Sequence, residues 1–294
     1  MTTPFTTKLL TEKDIINQLN ENCNDITFEN ALITNQCFSN RLCNVLFFEN
    51  VEFENVTFKT NFLHYIYFDR CTFKNCRTED SLKITYNLDE FDLEKIQAEG
   101  SATFRDCVFD NFTWTLFQPM QNDFRNCLIT NKSDFNLINL VYGEFSKCKI
   151  ENSIFTPKLY HSQNGNEQEG KSIFEDNTII NCDLVGIELA SANCNEFINC
   201  KIEEFFAPPY FKNNLFTDIK SMRIYFNEAR STNFYTNVSF EYSDFTNATL
   251  SRSLFKNCDL SSDTNCLINA TFSLEDKDEI KLTDKQLATD VIFI

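Results

Sequence analysis

From Phe28 the chain places an apolar residue at every fifth position: Phe28, Ile33, Phe38, Cys43, Phe48, Phe53, Phe58, Leu63, Phe68 and Phe73. A second column lies two residues earlier, at Ile26, Ala31, Gln36, Arg41, Leu46, Val51, Val56, Asn61, Ile66 and Cys71, and is mostly small or aliphatic. Two residues after the main column stand Asn30, Asn35, Asn40, Asn50, Asn55 and Asn75. A helix repeats near 3.6 residues and a strand at 2, so a sustained period of five is neither. It reads as a repeating corner. Two side chains per pentad point inward, and an Asn that tolerates positive φ closes the turn.

The frame returns at Phe104, Phe109 and Trp114, then at Phe124 and Ile129. After a one-residue slip come Phe135, Leu140, Phe145, Ile150 and Phe155. Phe174, Ile179, Leu184 and Leu189 form a further set, with Ser172, Asn177, Cys182 and Ile187 in the second column. The last set is Phe240, Phe245, Leu250, Phe255 and Leu260, with Val238, Ser243, Ala248, Ser253 and Cys258 two residues earlier and Asn247 and Asn257 at turns. Slips near residues 130, 195 and 235 leave open whether the rod is continuous.

Over roughly two-thirds of the chain this pattern resembles the pentapeptide-repeat family. The family's common form has Leu or Phe at the centre, a small residue two before it, and often Asp or Asn between them. This chain keeps the first feature well and the second in part; it varies the intermediate place and uses Asn where Gly is common. The resemblance implies an all-β solenoid: a right-handed quadrilateral parallel β-helix of pentapeptide repeats, with short capping helices and one helical insertion. A twenty-residue coil would set Cys23 below Cys43, and Cys107 below Cys127, at ~4.8 Å.

On this frame residues 1–24 are an N-terminal cap with a short helix, started by Thr11-Glu12-Lys13-Asp14 and burying Ile15, Ile16 and Leu19. Residues 25–77 are a repeat block. Residues 78–100 are a helical insertion, where Leu88, Phe91, Leu93 and Ile96 suit an amphipathic helix ending at Gly100. Residues 101–272 are an interrupted repeat block, with a polar loop over 157–171 and a break over Glu203–Tyr210 caused by Pro208-Pro209. Residues 273–294 are a C-terminal cap, in which Thr283-Asp284-Lys285-Gln286 fits a capping box ahead of an apolar tail, Val291–Ile294.

Composition narrows the function. A net charge of −17 with no basic patch argues against direct nucleic-acid binding. Thirteen Cys, an odd number in no ligand cluster, read as reduced core thiols of a cytoplasmic protein; a secreted effector without a classical signal peptide is the other location considered. No apolar run reaches the ~20 residues of a membrane-spanning helix. The two histidines, His64 and His161, stand apart, and there is no phosphate loop, HExxH or nucleophile elbow. Glu49, Glu52 and Glu54 fall on outward positions with no evident pocket. No enzyme activity, catalytic residue, cofactor or metal is therefore expected.

What remains is surface. Leu42, Phe47, Phe62, Tyr65 and Tyr67 occupy outward positions, with Phe62 one coil after Leu42 and Tyr67 one coil after Phe47. They are the expected partner-binding patch, unless the 78–100 insertion folds back over them. The expected function is a non-enzymatic protein-binding scaffold of the bacterial effector or adaptor kind. The alternative, implied by the resemblance, is a DNA mimic that occupies a type II topoisomerase (gyrase) and protects it from quinolone-like inhibitors. A rod of ~48 Å has the length of duplex bearing about 28 phosphates, within a factor of about two of the net charge. The resemblance also suggests a homodimer through the C-terminal end.

Overall fold

Corners come first, because they set the coil. The computed structural model describes residues 8–11, 13, 14, 17, 26–38, 45–59, 66–79, 101–114, 121–135, 143–155, 173–189, 191–208, 210–220, 222–226 and 232–294. In it Asn30 (φ 52°), Asn35 (53°), Asn50 (53°), Asn55 (55°) and Asn75 (51°) all adopt the left-handed conformation expected of a corner. Their amides stack from coil to coil: Asn50 Nδ2 donates to Asn30 Oδ1 at 2.7 Å, Asn111 to Asn75 at 2.8 Å and Asn257 to Asn237 at 2.9 Å. Arg70 (52°), Lys147 (55°), Cys194 (56°) and Tyr242 (52°) hold the same conformation. It costs such residues about 1–2 kcal/mol.

Between corners run short strands, and every described pair is parallel. The first ladder begins Ile26–Glu29, Leu46–Glu49, Ile66–Asp69, Ser101–Arg105 and Gln121–Arg125, with Phe28 on Phe48 on Phe68 on Phe104 on Phe124. The second begins Ala31–Thr34, Glu52–Glu54, Thr72–Lys74, Val108–Asp110 and Leu128–Thr130, and ends at Leu254–Lys256. A third holds Cys37–Phe38, Thr57–Lys59 and Arg77–Glu79, and continues after Thr113 through Asp134–Phe135 to Met222–Tyr225. The register jumps where extra chain intervenes: Phe68 lies on Phe104, and Phe145 on Phe174. The result is a parallel β-solenoid of about ten turns.

Parallel register makes each inward column a stack of like side chains. Ring centroids on the first side are 5.3 Å apart for Phe48–Phe68, 4.9 Å for Phe68–Phe104, 4.6 Å for Phe104–Phe124 and 4.3 Å for Phe124–Phe145. Phe53, Phe73 and Phe109 repeat this on the second side at 5.0 and 4.9 Å. The single Trp, Trp114, is buried edge-on to Phe104 and Phe124. Each buried ring contributes about 1.5–3 kcal/mol, and each ring pair about 0.5–1.5 more.

The second inward column changes chemistry along the axis. Cys71, Cys107, Cys127 and Cys148 donate to the carbonyls of Phe48, Phe68, Phe104 and Phe124 at 3.3–3.5 Å. Further on, the places are held by Asn177, Asn195, Asn214 and Asn233, all buried. The Nδ2 of Asn177 donates to Asn195 Oδ1 at 3.0 Å, that of Asn195 to Asn214 at 2.9 Å and that of Asn214 to Asn233 at 2.9 Å. Each also donates to a backbone carbonyl, of Phe145, Phe174, Ala192 and Phe211 in turn. The fully hydrogen-bonded amide column thus replaces apolar packing without leaving a polar group stranded.

Two sequence expectations need revision. Lys201–Phe206 is a strand paired on both sides, so the Glu203–Tyr210 break shrinks to its proline end, and Tyr210 opens the next strand. The prolines lie after Phe206 and therefore remove no donor from this ladder. Nor are the thiols all core: Cys37 and Cys194 are exposed, because each occupies an outward or corner place of its pentad. The Cys23–Cys43 stack, the helix over Leu88–Ile96, the helix burying Ile15, Ile16 and Leu19, and the 157–171 loop lie outside the described residues.

At the N-terminal end Lys8–Leu9 pairs with Ala31 and Leu32, and Asp14 Oδ2 accepts from the Thr11 N–H at 2.8 Å. At the other end Thr283 caps the helix Asp284–Thr289 with both arms of a capping box. Val291–Phe293 then pairs with Ala270–Phe272.

Candidate functional site

An outward residue is a candidate for contact only if its neighbours above and below extend the same surface. Phe47 and Tyr67 do stack, with centroids 4.9 Å apart and planes at 12°. Tyr67 is exposed and Phe47 half-buried. Their column is bounded by Thr27 and Thr103, which makes the pair a two-ring platform. Leu42, Phe62 and Tyr65 lie outside the described residues, as do His64 and His161.

The carboxylates beside that platform are engaged with cations. Arg70 bridges Glu49 and Asp69, the latter at 2.8 Å, and Lys74 Nζ meets Glu52 at 2.5 Å. The Glu52 carboxylate raises the Lys74 pKa. Glu29, Glu49 and Asp69 form an in-register acidic column, after which the same places hold Arg105 and Arg125. Among the described residues no group of three or more His, Cys, Asp or Glu is arranged to hold a metal.

A larger apolar panel lies further along the second ladder. Leu215, Phe234 and Leu254 stand in register on three successive strands, with Phe234 and Leu254 exposed by 41% and 50%. They line a groove of about 520 Å³ together with Cys194, Asn195, Glu196, Asn213, Tyr235, Thr236 and Lys256. Ile180 and Ile198 carry the uncharged surface upward on the parallel outer row. The groove arises where the chain shortens: the buried asparagines step by 18, 19 and 19 residues, and the register shifts between Lys212 and Leu215.

Sequence reasoning missed this panel because the pentad count breaks near residues 195 and 235. Leu215, Phe234 and Leu254 are each the residue just before an inward aromatic, Phe216, Tyr235 and Phe255. That offset, anchored on the aromatics rather than on a fixed step, was the available signal.

Around another corner Phe206 stacks on Tyr225 at 5.0 Å, and the Arg223 guanidinium lies over Tyr225 and Tyr242 at 5.4 and 5.9 Å. Glu204 pairs with Arg223 at 3.2 Å. An aromatic cluster with a cation above it has the chemistry of a contact site.

No family model matches the chain, and no curated protein matches it. Among solved structures it is similar to HetL, a pentapeptide repeat protein involved in heterocyst differentiation regulation from the cyanobacterium Nostoc sp.: 10% identity, 87% of this chain and 90% of that one, TM-score 0.26. It is also similar to QnrB1, a plasmid-mediated fluoroquinolone resistance protein: 12% identity, 92% of each chain, TM-score 0.26. The fold assignment rests on this chain's own register and corner angles.

Proposed function

We propose that this pentapeptide-repeat solenoid is a non-enzymatic scaffold that binds another protein, in a cytoplasmic setting, through its outward ladders. The observation that carries the reading is the in-register row Leu215, Phe234 and Leu254 beside its groove. Apolar side chains on a flat parallel ladder gain nothing for the core, and a contiguous exposed row of this kind marks contact surface. Phe47 and Tyr67, with Leu42, Phe62 and Tyr65, are a second proposed contact. No helix among the described residues is long and apolar enough to cross a membrane.

Affinity capture with the wild type and the Phe234→Ser/Leu254→Ser variant tests the reading. The variant loses its captured partner while its circular dichroism stays native. A native variant that retains the partner overturns the assignment of this panel.

The acidic column Glu29, Glu49 and Asp69 favours one further reading, imitation of the DNA polyanion toward a type II topoisomerase. Arg105 and Arg125 interrupt that column, so the scaffold reading stands first. The C-terminal end offers a surface for a homodimer: Val291–Phe293 pairs with one strand, and Ile292 and Ile294 are exposed.

A further inference from the structure

The second ladder ends at Leu254–Lys256, which pairs with Thr232–Thr236 above and with no described strand below. Side chains of the terminal segment replace the missing strand. Glu279 Oε2 accepts the Asn257 N–H at 3.0 Å, and Asp276 Oδ1 accepts the Phe255 N–H at 3.4 Å. These two carboxylates sit in opposite environments. Glu279 is exposed, whereas Asp276 is 4% exposed, and its Oδ2 is buried with no hydrogen-bond partner.

A carboxylate with one oxygen buried and unbonded is poorly accommodated in its ionised form; the neutral acid loses far less on burial. We propose that Asp276 is a titrating latch on the terminal segment 273–294, which docks most tightly when Asp276 carries its proton and loosens as it ionises.

The surroundings agree. Burial raises the Asp276 pKa, the Phe255 N–H opposes this, and Glu275 and Glu279 add to the rise. On the strand above, Lys256 is the one charged side chain, and it is exposed. The thiol facing from the next strand is Cys258, itself pushed up to about 11. Lys277 and Asp278, which follow in the chain, are exposed. Because the folded value lies above the ordinary aspartate range near ~4, the stabilisation is complete below that range and is lost as pH rises through the folded value. The same segment carries the exposed Ile292 and Ile294, and Ile294 is tied to Leu274 and Phe272 by backbone bonds of 2.9 and 3.0 Å. Proton release at Asp276 therefore governs how firmly that end surface is held.

Hydrogen exchange of the Phe255, Leu274 and Ile294 amides at about pH 3 and about pH 8, corrected for intrinsic rates, tests the latch. A proton held more tightly in the docked segment than in the released one makes docking stronger by the same factor at low pH. Wild-type protection therefore falls by more than about threefold at the higher pH. In Asp276→Asn, which keeps the shape and the acceptor, the fall shrinks to within about threefold. Asp276→Ala lowers protection at both pH values and is equally flat, which separates lost packing from titration. The same fall in Asp276→Asn as in the wild type, or no fall in the wild type, overturns the proposal.

Discussion

Replacing Asn214 by Ala tests whether the buried amide column holds the C-terminal half of the rod together. Four hydrogen bonds end on this side chain. Its Oδ1 accepts from the Asn195 N–H at 3.1 Å and from Asn195 Nδ2 at 2.9 Å, and its Nδ2 donates to the Ala192 carbonyl at 2.8 Å and to Asn233 Oδ1 at 2.9 Å. Each is worth about 1 kcal/mol net, and the partners left behind are buried. The loss comes to about 4 kcal/mol, a large part of the ~5–15 kcal/mol of a typical domain. Urea denaturation followed by far-ultraviolet circular dichroism reads this as a lower midpoint at unchanged slope. Asn214→Ser should lose about half as much, because Ser253 already accepts the Asn233 N–H at 3.1 Å within this column. Thr236→Ala, on the outer face, should stay within about 0.5 kcal/mol. A loss below about 1.5 kcal/mol for Asn214→Ala would refute the reasoning, since it would mean the column is no better than apolar packing.

Other expectations are quicker to check. In the native protein a thiol reagent at about pH 8 should modify Cys37 and Cys194 at once but spare Cys76 and Cys182, whose burial pushes both up to about 12; denaturant should expose them, as mass spectrometry will show. Lys147→Asn, at φ 55°, should raise stability by about 0.5–1 kcal/mol in the urea assay, because Asn tolerates the left-handed corner better. If the polyanion reading holds, purified protein should inhibit gyrase supercoiling in a manner that weakens with salt; no effect at about micromolar protein leaves the scaffold.

Legibility from sequence followed the regularity of the step. Where twenty residues make a coil, counting by fives from Phe28 placed Phe48, Phe53, Phe58, Phe68 and Phe73 in the core, where they are buried. It also put Asn30, Asn50 and Asn75 at corners with positive φ. Phe47 and Tyr67 were read as outward neighbours on one side, and they stack. Counting failed where coils shorten: Asn177 was seen in the inward column, but Asn195, Asn214 and Asn233 follow at steps of 18 or 19, so their amide ladder and the panel at Leu215 fell off the frame. An Asn is equally at home at a corner or in a ladder, and only the register decides which. Asp276 was invisible for a related reason. Its burial depends on which strand ends a ladder, a property no local pattern encodes.

Both large register jumps occur at the same point of the circuit. The chain leaves the third ladder at Arg77–Glu79 and rejoins the first at Ser101–Arg105; later it leaves at Ile154–Phe155 and rejoins at Ile173–Glu175. The passages from first to second ladder and from second to third stay short over these coils, because little more than a corner residue and the inward residue after it separates their strands. The long insertions are thus channelled to one flank, while the other flanks change by single residues, as at Lys132 and between Lys212 and Leu215. For the lineage, this is a licence to vary by insertion on that flank without disturbing a rung elsewhere. For the engineer, it marks the joint where a foreign segment is spliced with the least disturbance to the rod.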